Sequence, residues 1–106
     1  MESEVQFANE KVKKSFEKLK KENPSMHKTI SRAFTDISKN AFCGIQIPKK
    51  LIPKGYIKKH SIKNLWKYNL PDAWRLIYSV ENNSIVLLSI ILEWMDHKEY
   101  ERRFKY

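Results

Sequence analysis

The strongest constraint on this chain is the run Ile85 to Leu92, apolar at both alternating positions except for Ser89. A strand that is apolar on both faces must be covered on both faces, so it belongs in the middle of a sheet. Two runs before it alternate. Leu65 to Leu70 puts Trp66, Tyr68 and Leu70 on one face. In the next run Trp74, Leu76, Tyr78 and Val80 share a face, with Arg75, Ile77 and Ser79 opposite. This period of two is the signature of strands. Pro71-Asp72 reads as a turn, and Asn82-Asn83 suits a tight hairpin because Asn tolerates positive φ. Ile45-Gln46-Ile47 reads as one more short strand.

The N-terminal third follows a different period. Val5, Ala8, Val12, Phe16 and Leu19 recur at helical spacing among Lys and Glu. Asn23-Pro24 stops that helix, and Ser25 is the expected N-cap of a second helix carrying Met26, Ile30, Ala33, Phe34, Ile37 and Ala41. The short connection makes a helical hairpin, which Gly44 ends. Residues 45–63 are punctuated by Pro48 and Pro53, with a helical turn expected between Leu51 and His60, and the tail from His97 to Tyr106 reads as a last short helix. The expected fold is α+β: an N-terminal helical hairpin packed on one face of a small, mainly antiparallel sheet of about four strands, with a short C-terminal helix. The 106 residues suffice for one core and one domain, 1–106.

Charge is unevenly spread. The formal net charge is +9, yet residues 37–71 hold eight lysines (39, 49, 50, 54, 58, 59, 63 and 67) and no acid, while the two flanking thirds are close to neutral. A concentrated positive field repels itself, and a polyanionic partner such as nucleic acid offsets that repulsion. The plainer alternative is a set of solvated loop lysines. The run Ile85 to Leu92 falls far short of the ~20 residues of a membrane-spanning helix, so no membrane partner is expected. The start Met1-Glu2-Ser3-Glu4 is acidic and unlike a signal peptide, and the lone Cys43 fits a reducing, cytoplasmic setting.

Several kinds of chemistry are excluded. Two glycines, Gly44 and Gly55, leave no phosphate-cradling loop and no dinucleotide fingerprint. Cys43, His27, His60 and His97 lack metal-ligand spacing, so neither metal nor cofactor is expected. What remains suits phosphate. Arg75 can bind phosphate oxygens bidentately, or simply be an exposed strand residue. His97 can move a proton near neutral pH, or be a surface histidine. Tyr100, three residues later, can stack on a base or pack the tail onto the sheet. Glu93 can act as a base or pair with a lysine, and Cys43 reads as inert packing.

The run Leu70-Pro71-Asp72-Ala73-Trp74-Arg75-Leu76-Ile77-Tyr78-Ser79-Val80 resembles the W-R-x-x-Y strand of the RelE/ParE toxin superfamily. The ending His97-Lys98-Glu99-Tyr100 resembles the H-K-x-Y tail of the same group. The sequence-specific part of the resemblance is 70–104. It implies a toxin of a type II toxin–antitoxin system, on the RelE-like branch, whose members cut mRNA on the ribosome without a metal. Such an mRNA interferase uses a 2′-hydroxyl to attack the neighbouring phosphate, and the 5′-oxygen leaves. ParE-like members instead poison DNA gyrase without cleaving RNA. By the resemblance, Arg75 would hold the scissile phosphate, His97 would be acid or base, and Tyr100 the tail aromatic. Lys49, Lys50, Lys54, Lys58, Lys59 and Lys98 would form an RNA-binding wall. The implied partners are mRNA, the ribosome with its 16S rRNA, and a cognate antitoxin in a toxin–antitoxin hetero-oligomer. The chain departs from RelE in having Met95-Asp96 where an arginine often stands.

Overall fold

The structure, a computed structural model, describes residues 1–84 and 86–104. Strand β1 (Ser3–Phe7) leads into helices α1 (Glu10–Glu22) and α2 (Pro24–Lys39). Then come a short strand β2 (Ile45–Gln46), a 3-10 turn at Lys49–Leu51 and helix α3 (Lys54–His60). The chain closes with β3 (Trp66–Asn69), β4 (Arg75–Asn82), β5 (Leu87–Met95) and α4 (His97–Phe104). The sheet has five strands in the order β1-β5-β4-β3-β2. Its last four form an antiparallel meander, and β1 pairs in parallel with β5. The class is α+β, as expected.

The structure corrects four details. The N-terminal helix does not take in Val5 and Ala8. Val5 lies in β1, opposite Ser89, and Ala8 follows it. Helix α1 begins only after Asn9, whose side-chain oxygen accepts from the Val12 amide at 3.0 Å. Val5, Ala8 and Val12 fit helical spacing while Ser3, Val5 and Phe7 alternate as in a strand, and the free edge of β5 decides between them. The N-cap of α2 is Asn23 rather than Ser25: Asn23 accepts from the Met26 amide at 3.2 Å, and Pro24 opens the helix, where its missing amide costs nothing. At the β4–β5 hairpin the residue with positive φ is Ser84 (76°), while Asn82 and Asn83 turn their side chains back to accept from the amides of Ser84 and Val86. Ile85 lies outside the described residues, as do Lys105 and Tyr106.

The fourth correction concerns layers. The helices were expected on one face; they cover both. Ile30, Ala33 and Ile37 of α2 pack with Leu76, Tyr78 and Val80 of β4, with Val12, Phe16 and Leu19 of α1 alongside. The other face of the same strand carries Ile77, which packs with Leu92, Met95, Tyr56 of α3, and Tyr100 and Phe104 of α4. Burying both faces of β4 and β5 is what their apolar sequence requires, and α3 and α4 supply the second cover. A register shift leaves Leu92 without a β4 partner, since Ile77 pairs with Glu93 and Tyr78 with Ile91. The extra residue makes a bulge, and bulges re-aim side chains.

Candidate nucleic-acid interface

The alternation of β4 places Arg75, Ile77 and Ser79 on the α3/α4 face. Strand β3 is in register with it: Lys67 opposes Ile77 and Asn69 opposes Arg75. Helix α4 then crosses this face. Asp96 opens α4, accepting from the Glu99 amide at 2.9 Å, and its carbonyl accepts from the Tyr100 amide at 2.9 Å. This turns Tyr100 inward, 2% exposed and stacked on Phe104 at 4.4 Å. Lys67 Nζ at 4.9 Å and the Arg75 guanidinium carbon at 5.5 Å both lie over the Tyr100 ring. A ring face attracts cations, so Tyr100 holds both side chains at one place. Arg75 Nη1 donates to the Trp74 carbonyl at 3.3 Å, and the buried Nε completes no hydrogen bond with a described residue.

The structure thus brings together Arg75 and Tyr100. His97 is exposed, and its Nε2 lies 3.1 Å from Glu101 Oε1, one turn along α4. Lys98 is exposed beside it. Lys49 and Lys50 lie on the 3-10 turn, and Lys54, Lys58 and Lys59 on α3, all exposed and none in an ion pair with a described residue. Two carboxylates of β5 and α4 are engaged by arginines. Glu99 binds Arg102 and Arg103, and Glu93 binds Arg103 at 2.6 Å. Hydrogen bonds from Arg102 and then Arg103 hold the Glu99 carboxyl down at about 2. The positive field of the middle segment is therefore left standing. Helix α3 is seated through Tyr56 against Phe104 (5.7 Å), which in turn stacks on Tyr100, so the lysine helix and the Arg75 cluster share one sheet face.

Sequence reasoning placed Lys67 among the basic residues but not in the site. The signal was present: Lys67 alternates with Trp66 and Tyr68, so it faces the same side as Arg75. Glu93 belongs with Arg103 and Tyr56 because of the Leu92 bulge, which no local pattern reveals. Tyr56's hydroxyl is pushed well up by burial and by Glu93. Burial and the neighbouring Lys59 charge lower His60, against the pull of Glu93. Among the described residues no group of His, Cys, Asp and Glu could hold a metal ion, and no helix is long and apolar enough to cross a membrane. Comparison with protein-family models, with curated proteins and with solved structures gives no match.

Proposed function

We propose that this chain is a RelE-like toxin: a cytoplasmic, metal-independent mRNA endonuclease that acts on the ribosome and is neutralised by an acidic antitoxin. The observation that carries the reading is the convergence of Arg75 and Lys67 on Tyr100, on the sheet face that also seats the lysine helix α3. Two fixed cations beside a run of exposed lysines suit an RNA backbone: the lysines position the strand, while Arg75 and Lys67 meet the charge that develops on a phosphate under attack. The 2′-hydroxyl attacks that phosphate and the 5′-oxygen leaves with a proton. His97 is the group to move that proton once RNA displaces Glu101 from it, a contribution of ~10²–10⁴-fold.

Induced expression in a bacterial host, followed by primer extension on cellular mRNA, tests this. Growth arrest with discrete mRNA cuts is expected, and Arg75→Ala and His97→Ala should relieve both. Full toxicity in both variants would sink the catalytic assignment. The His97–Glu101 pair and the Met95-Asp96 departure favour a second reading, a binder that uses the same face without proton transfer, whether a ParE-like gyrase poison or an RNA-binding relative. That reading expects arrest without mRNA cuts, lost in Arg75→Ala and retained in His97→Ala.

A further inference from the structure

Farther along β4, on the Arg75 face, Ser79 is 1% exposed and its hydroxyl completes no hydrogen bond with a described residue. Tyr56 on α3 is 6% exposed, and its hydroxyl faces the Glu93–Arg103 ion pair without a hydrogen bond of full geometry to a described residue. Folded chains leave few buried hydroxyls unmet, because each costs free energy. Both residues line surface hollows. The first, about 440 Å³, has Tyr56 with Val12, Pro53 and Leu92 as apolar wall. The second, about 480 Å³, has Ser79 between Ile62 and Ile90. The two share Asn9, Lys59 and His60, so they form one depression between the β1–α1 turn, α3 and β5.

The charges in this depression are mostly positive. Lys11 stands at the rim of the first hollow and Lys59 at the junction; neither pairs with a described acid. Glu93 is neutralised by Arg103 at 2.6 Å, and Glu81 is exposed at the far side of the second hollow. Lysines and an unmet hydroxyl are donors suited to an anion. The first hollow is far larger than one phosphate needs, lies within the size range of small-molecule sites, and offers an apolar wall with one hydroxyl. We propose that this depression binds a nucleoside monophosphate group, with the phosphate at Lys59 and Ser79 and the base against the apolar wall, its edge bonded to the Tyr56 hydroxyl. The ligand is either a free mononucleotide or the 5′-phosphorylated end of an RNA strand. The site is separate from the Arg75 cluster and goes beyond the toxin reading.

Calorimetric titration of the full chain with AMP, adenosine and inorganic phosphate tests it, together with a short RNA bearing a 5′-phosphate or a 5′-hydroxyl. AMP is expected to bind one to one, about tenfold or more tighter than adenosine. Ser79→Ala should weaken AMP about tenfold and leave adenosine unchanged, and Tyr56→Phe should weaken both. Ser79→Ala removes a hydroxyl that completes no hydrogen bond with a described residue, so its melting temperature should stay at the wild-type value. Preference for 5′-phosphorylated RNA over the 5′-hydroxyl form identifies a strand end as the ligand; equal binding of the two identifies the free nucleotide. The proposal is overturned if AMP shows no saturable binding, if inorganic phosphate binds as tightly as AMP, or if both variants bind AMP like the wild type. AMP binding and toxicity are read separately, so failure of one leaves the other standing.

Discussion

Tyr78→Phe removes a single oxygen from the middle of the molecule. Tyr78 is fully buried on β4, and its hydroxyl joins two points of the loop that leads into the basic segment. It donates to the Ala41 carbonyl at 2.8 Å and is the acceptor for the Gly44 amide at 3.1 Å. Phenylalanine fills the same ring volume, so no cavity opens; what is lost is the partner of two backbone groups. A buried group left unmet costs ~1–3 kcal/mol. Ala41 is fully buried and bears that cost, whereas Gly44 is half-buried and recovers part of its bond from water. The sum is ~2 kcal/mol, which for a domain of this size lowers Tm by ~8 °C. Urea denaturation followed by circular dichroism should show the midpoint falling by about 1 M with the slope m unchanged. A loss below ~0.5 kcal/mol would refute the argument that this hydroxyl pins the loop, because it would mean that both backbone groups find other partners at no cost.

Gly44→Ala at the same place should be worse than Tyr78→Phe, since the new Cβ would lie 2.6 Å from the Lys67 backbone oxygen and 2.7 Å from the Tyr78 hydroxyl; a melt comparing the two variants checks the order. The affinity for single-stranded RNA should fall steeply with salt, by ~0.7 log units per log unit of salt for each phosphate contact, and replacing Lys54, Lys58 and Lys59 by Gln should flatten the slope by ~2. A slope near zero in the wild type would remove the nucleic-acid reading. Glu99 titrates at about 2, below its ordinary 4.5, so its bonds to Arg102 and Arg103 add stability that is full above about 4.5 and is lost as pH falls toward 2. In melts across that range, Glu99→Gln should show a smaller acid-induced drop than the wild type; an identical drop would assign the acid sensitivity to other carboxylates.

Much of this molecule is written in its local patterns. The period of two in Trp66–Leu70 and Trp74–Val80 yields β3 and β4 and the opposite facing of Arg75 and Tyr78, and the doubly apolar run up to Leu92 yields β5. The helical spacing of Met26 to Ile37 yields α2, which stops at Lys39 short of Ala41, and the acid-free stretch 37–71 marks the charged segment. These are properties of neighbouring residues, so a reading of neighbours recovers them. Three features depend on partners distant in the chain. Strand β1 is five residues whose spacing also fits a helix, and it is a strand because β5 offers it an edge 84 residues on, where Ser3 pairs with Leu87. The Leu92 bulge comes from the match between β4 and β5 and decides that Glu93 meets Arg103. The placement of Lys67 and Arg75 over Tyr100, and the hollow above Ser79 and Tyr56, exist only once α3 and α4 close the second face. Periodicity is fixed by backbone geometry residue by residue, whereas the choice of which surfaces meet is set by the burial of the whole core, and that is decided only by the folded chain.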